Sequence, residues 1–542
     1  MDADEQDAIP CRHLPLAASP SRASFSSSEA SERFSDLYGQ GRLQQGALLV
    51  AVLALVAMRA HGVAFRIATH PLQHWCKPPA IFSNLSVADW KKRRKPVRCR
   101  DWDYEDHGVS SIVRRWNLVC QRHWLVSMAG TVDTLGAFVA PPLAGQLADV
   151  VGRRPVVLAS ALCFVLAVVA GQLAGSFNLY LLSTLVASGG SSSAFAVAFV
   201  LLFEVTASHY QTLFGTTAIV FGAVIASLLS LALDGLPLLP AQLIGPAPAG
   251  CLLLVCAVTL SVESPRWLLA VWKVQEAQLL VLRAADWNRQ SREAALQALG
   301  KATESMKLQR QNVATCGAAT LLDLVASYPL RLRAAIVLGI SFSLVLTWQA
   351  LRLNVGYPEH KLSRRLGLVL FWPVCFLTYQ GMTSVGRLRT LCVLMLLLGL
   401  ACCLLGVLQA VEPRGVASTL LMLANICVSI ALVVNLLCVA ELFPTVVRSL
   451  AFGGAISAGR LGASVAPALA SFAHRYSRED LVHVLLGAMA FASTLSMMGL
   501  QESFSSRPTN TLRDVEVQSL RKLRRSARMS RGQHSSPRPA MR

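Results

Sequence analysis

The 542-residue chain is predicted to be an all-α polytopic membrane protein with twelve transmembrane helices in two six-helix halves. Three observations predict this. First, only 15% of the residues are charged and 54% are hydrophobic, whereas a soluble chain of ordinary composition carries about 25% charged residues. Second, apolar runs recur at close to the ~20 residues that a helix needs to cross a bilayer. Third, the polar punctuation at the ends of these runs repeats once along the chain.

Residues 1–45 begin with the acidic "MDADEQDAIP" and continue Ser-rich, which reads as a disordered cytoplasmic N-terminus. An acidic start does not resemble the basic opening of a cleavable leader, so the first apolar run, 46–65, is expected to be a signal anchor. Further runs lie near 124–147, 155–174, 178–203, 213–234 and 241–261, and a second set near 333–351, 366–382, 389–409, 416–440, 450–472 and 481–500. The first half is therefore placed at 46–262, including a polar loop at 66–123, and the second at 333–502. Between them, 263–332 contains "QEAQLLVLRAADWNRQSREAALQALGKATESMKLQRQ", the pattern of a soluble helical linker. Residues 503–542 form a basic tail, which anionic lipid would attract.

The repeat is read from matched punctuation. The second run ends in "LADVVGRRP" and the eighth in "GMTSVGRLR"; the fourth ends at Glu204 and the tenth at Glu441; the sixth ends at Glu263 and the twelfth at Glu502. From Asp149 to Glu204 to Glu263 the steps are 55 and 59 residues, and from Thr383 to Glu441 to Glu502 they are 58 and 61. Matched order and spacing indicate a duplicated six-helix unit, as in transporter folds.

Arg153, Arg154, Arg387, Arg389 and Arg448 cluster at one set of helix ends, which the positive-inside rule makes cytoplasmic together with both termini. The loop 66–123 is then extracellular. Its "KKRRK" run, in a chain of net charge +20, would otherwise suggest nucleic-acid binding; on that side of a membrane no nucleic-acid partner is expected. Asn84, in "NLS", becomes a usable glycosylation site there, and two of Cys76, Cys99 and Cys120 are candidates for a disulfide. Cys163, Cys251, Cys256, Cys402, Cys403, Cys427 and Cys438 lie in apolar runs and read as packing residues.

"SSIVRRWNLVCQRHWLVSMAG" followed by "LAGQLADVVGRRPVVL", then "VESPRWLL" and "ELFPTVVRSLAFGGAISAGRLGASVAPAL", resembles the organic-ion transporters (solute carrier family 22) of the major facilitator superfamily. The resemblance runs from about residue 46 to residue 502. It implies a major facilitator fold in the plasma membrane that carries a small organic ion by alternating access. A conformational latch is expected from Asp149, Gly152, Arg153, Arg154, Glu204, Glu263, Arg266, Glu441 and Arg448, because acid–arginine pairs at helix ends can lock one face closed. The chain departs from the family pattern at Gln211 (usually Arg), Phe371 (usually Glu) and Thr383 (usually Asp), which opens the question of whether it transports at all.

Charges inside membrane helices are costly, so each is a functional candidate. Arg460 falls in the middle of the eleventh run, at a position that tends to be Arg in the family's anion and carnitine carriers and Asp in its cation carriers. A guanidinium facing a central cavity can grip a carboxylate or sulfate. Asp133, in the second run, could hold a cation or neutralise Arg59 or Arg460; Trp348 and Gln349 match the seventh-helix element of the family and could stack on a ligand. Arg352 either lines the outer mouth or snorkels at the interface, and Ser191, Ser192 and Ser193 offer hydrogen bonds or close helix packing. No Walker sequence or metal-binding His spacing occurs, so neither ATP-driven pumping nor a cofactor is expected, and no enzyme activity. The reading is a transporter tilted toward organic anions or zwitterions; the alternatives are a cation carrier using Asp133, and a non-transporting receptor or scaffold that keeps the fold.

Overall fold

Each predicted apolar run is occupied by a helix in the computed structural model, which describes residues 40–70, 72–76, 102–104, 111–234, 245–311, 328–353, 361–408 and 414–497. The bundle helices are α1 (Arg42–Ala68), α2 (Trp124–Val151), α3 (Arg153–Leu173), α4 (Phe177–Val205), α5 (Gln211–Asp234) and α6 (Pro246–Leu260). They continue as α7 (Tyr328–Arg352), α8 (Lys361–Ser384), α9 (Arg387–Leu408), α10 (Arg414–Leu442), α11 (Arg448–Tyr476) and α12 (Glu479–Met497). Most extend a few residues past the apolar run, because hydropathy marks only the lipid-immersed stretch while the hydrogen-bonded turns continue into polar sequence.

Among the described residues, nine helices are long and apolar enough to cross a bilayer. α6 has only 15 residues, and α11 carries Arg448, Arg460 and a row of small residues.

Packing sorts the helices by their faces. α4 is buried along most of its length, and its "SGGSSS" stretch lets other backbones approach closely. α2 packs against α4 and α11, α3 against α4, α7 against α11, and α9 against α12. Leu166 and Leu173 of α3, Leu397 and Leu400 of α9, and Leu495 of α12 stay exposed, a band that water would penalise and hydrocarbon accepts. Pro141 and Pro142 sit inside α2 and remove two backbone donors. The carbonyl of Phe138, left without its partner by Pro142, accepts the Ser457 hydroxyl of α11 at 2.5 Å. The proline break thus becomes a joint between the first six bundle helices and the last six.

Between α1 and α2, β1 (His74–Cys76) and β2 (Trp102–Tyr104) pair antiparallel with Trp75 opposite Asp103. Cys76 is disulfide-bonded and Cys120 is a free, exposed thiol. Cys120 is therefore removed from the candidate disulfide pair, while Cys99 lies outside the described residues. So do Asn84, the "KKRRK" run, Glu502, the first 39 residues and the basic tail.

After α6, three helices (Pro265–Ala270, Val274–Trp287 and Arg292–Gln311) carry an apolar face. Trp267, Leu268, Ala277, Val281 and Ala284 turn that face onto Leu201 and Val205 of α4 and Leu43 of α1.

Candidate functional site

Two groups of ionisable side chains lie within the bundle. One closes an end of it, and the other sits at mid-depth.

At the closed end, α2 stops at Gly152, whose φ of 123° is open to glycine and strained for other residues. The reversal lets α3 begin at once, and its first two backbone N–H groups, of Arg153 and Arg154, donate to the Glu263 carboxylate at 2.9 and 3.1 Å. Glu263 is therefore a helix cap, compensating donors that a helix N-terminus leaves open. Asp149 plays the same part at longer range. It accepts the backbone N–H groups of Ser449 at 3.4 Å and Leu450 at 3.0 Å, at the start of α11, 300 residues on.

Arg153 is fully buried at the centre of this network. Its guanidinium donates to Asp149 at 3.0 Å and to the Thr445 carbonyl at 2.7 Å, and it faces Glu204 at 3.0 Å. Glu204 accepts a second guanidinium, Arg448, at 3.0 Å. Arg266 acts on the same carboxylate through its charge, and Trp267 ties the Asp149 carbonyl at 2.9 Å. The Arg154 guanidinium donates to the Val258 carbonyl, at 3.3 Å.

The second half repeats this frame with fewer parts. Gly386 has φ 109° before α9, and Arg387 pairs with Glu441 at 2.5 Å and donates to Thr212 at 3.2 Å. Glu441 is thus bound to Arg387, which lies over the same Phe203 ring as Arg448 of the Glu204 cluster. Thr383 occupies the position of Asp149, but its hydroxyl turns back to the Tyr379 and Gln380 carbonyls of its own helix. Gln211 likewise turns to the Phe203 carbonyl at 3.0 Å. Phe371 packs edge-on with Trp372.

At mid-depth, Arg460 of α11 donates to Ser192 of α4 at 3.4 Å. Arg59 of α1 and Arg352 of α7 both lie against the Trp348 ring, at 5.2 and 4.8 Å from its centroid. Trp348 therefore already holds the protein's own cations. Gln349 is half-buried beside it. The charged neighbours of Arg59 are Arg460, Arg352 and Arg66, all positive, and its buried Nε has no hydrogen-bond partner. Asp133, a candidate to hold a cation or to neutralise Arg59 or Arg460, bonds to His61 of α1 at 2.9 Å and is a charged neighbour of Arg460. The sequence reading passed over His61; its signal was a histidine two residues after Arg59 in an otherwise apolar run.

A bundle of this kind, with joined halves, an ionic closure at one end and charged groups at mid-depth, defines a membrane transporter. The sequence pattern of the Major Facilitator Superfamily matches residues 107–467. Solute carrier family 22 member 16 of Xenopus laevis is 26% identical over 426 residues, covering 75% of this chain and 71% of that protein. The human organic cation/carnitine transporter 2 is 23% identical, covering 84% and 83%. The structure of the proton:xylose symporter XylE superposes with a TM-score of 0.60 at 15% identity, over 88% of this chain and 98% of that one. The chain belongs to the Major Facilitator Superfamily and, within it, to solute carrier family 22. It is a transporter-family membrane protein, not an enzyme.

Proposed function

We propose that the protein carries organic anions or zwitterions across the plasma membrane by alternating access, with Arg460 as the main anion contact. One observation carries this reading. Two buried guanidinium groups (Arg59 and Arg460) gather at mid-depth near one carboxylate, Asp133, which is engaged by His61. A cluster so unbalanced in low dielectric calls for an anion, since each buried charge costs several kcal/mol unless paired. A cation carrier would use Asp133, and there the His61 contact competes with the substrate.

The closed end is read as cytoplasmic, from its arginines, and the loop holding β1 and β2 as extracellular. In that orientation the Glu204 and Asp149 networks hold the inner gate shut. The missing charges, with Thr383 and Phe371 in the second half and Gln211 in the first in place of charged groups, are the observation that favours a non-transporting receptor instead.

Uptake of a labelled organic anion, an organic cation and carnitine, in cells with the chain at verified surface level, tests all three. Anion or carnitine uptake lost in Arg460→Ala supports the proposal. Cation uptake lost in Asp133→Asn replaces it with the cation carrier. No uptake of any of them favours the receptor.

A further inference from the structure

The His61–Asp133 pair has no part in the latch. It joins α1 to α2 inside the bundle at 2.9 Å, with the side chains 8% and 16% exposed. Among the described residues, His61 bonds to this carboxylate and meets the edge-on ring of Phe164 in α3, 6.1 Å away. Asp133 is at the same time the acidic neighbour of Arg460. One carboxylate thus stands between an imidazole and the guanidinium assigned to the substrate.

The other groups around the pair are cationic or neutral. Arg59 lies on α1 itself, and Arg352 of α7 lies beyond it across Trp348. Among the remaining helices packed on α1, the titratable side chains are Tyr180 and Glu204 on α4, Cys251 and Cys256 on α6, and Glu276, Arg283 and Asp286 on the helix Val274–Trp287; α3, which brings Phe164 to His61, carries Arg153, Arg154 and Cys163. Among the described residues, none of these bonds to His61.

We propose that the His61–Asp133 pair is a proton site, and that the protein moves one proton together with each organic anion. The inference rests on the anion reading of Arg460. With a proton added, the imidazolium pairs fully with Asp133, and Arg460 keeps its charge for the substrate. With the proton gone, Asp133 is a carboxylate without its imidazolium partner, and Arg460, its charged neighbour, can neutralise it. Substrate anion and Asp133 then compete for one guanidinium. Proton and anion therefore bind with positive coupling, and by reciprocity each raises the affinity for the other. The imidazole takes its proton from the side where the anion enters and gives it up where the anion leaves. One positive and one negative charge move together, so the cycle is electroneutral.

The test uses the full-length chain in cells, with a labelled aryl sulfonate that stays anionic across the pH range. Wild-type uptake is expected to rise several-fold as external pH falls from about 7.5 to about 5.5, the interval in which imidazoles in general titrate. Adding the unlabelled sulfonate should acidify the cytosol of cells loaded with a pH-sensitive dye. Both effects should disappear in His61→Gln, where uptake becomes independent of pH. Sulfonate uptake in the wild type without pH dependence or acidification overturns the proton site and leaves the anion reading standing. Stimulation that survives in His61→Gln at normal surface level does the same. Absence of sulfonate uptake at every pH overturns both.

Discussion

The guanidinium of Arg448 lies 3.0 Å from the carboxylate of Glu204, although 244 residues separate them in the chain. Both side chains are almost fully buried, and Glu204 holds Arg153 as well. α4 and α11 therefore meet through an ion cluster from which no member can be removed without stranding a buried charge. Glu204→Gln leaves two buried arginines without their shared counter-ion. It should destabilise the closed arrangement by about 3–5 kcal/mol, seen as a lower melting temperature in detergent. An unchanged melting temperature would mean that the cluster does not hold this end together.

Gly152 offers a sharper geometric test. Its φ of 123° and ψ of 159° lie in a region that is essentially glycine-only, and a Cβ there would come within 2.6 Å of the Glu263 carboxylate. Gly152→Ala should cost about 1–3 kcal/mol in backbone strain alone and displace the cap from α3. Reduced surface level or reduced thermal stability is expected; wild-type behaviour in both would contradict the geometry.

Thr383 stands four residues before Arg387, as Asp149 stands four before Arg153, yet it makes only local bonds. Thr383→Asp should restore an acid beside Arg387 and near the start of α5. The gain expected is about 0.3–1 kcal/mol for a carboxylate at a helix N-terminus, read as a higher melting temperature and a slower transport cycle. A fall in melting temperature would mean that no donors face that position.

Trp348 is touched by Arg59 and Arg352 from two helices. Trp348→Leu removes both ring contacts, each contributing about 0.5–2 kcal/mol, and frees the guanidinium groups to move. An increase in KM for anions of up to tenfold or more, with a smaller change in kcat, is the expected split. A loss confined to kcat would place Trp348 in the conformational step instead.

Cys120 is a free thiol next to His74, whose Nε2 lies 3.9 Å from its sulfur. A membrane-impermeant maleimide applied to intact cells should label the wild type, with the signal reduced in Cys120→Ser. No difference between the two would argue against the loop facing outward. Removal of the sequon by Asn84→Gln should, in the same cells, increase gel mobility.

The sequence by itself determined the long-period order: where the apolar runs fall, that they occur six and six, and which polar residues mark their ends. Such features are one-dimensional, because a bilayer requires each span to be continuous and charges gather where the lipid stops. Gly152, Arg153 and Glu263 were legible as one group for the same reason, lying at helix ends in a repeated motif. Only the tertiary structure decided the partners. Asp149 turned out to cap α11, and Glu441 to pair with Arg387. Asp133 bonded to His61 while remaining a charged neighbour of Arg460. The physical reason is that a buried charge bonds to whatever donor the packing brings within about 3 Å. In a bundle of helices, that neighbour is set by crossing points and rotation about each helix axis, which hydropathy does not record.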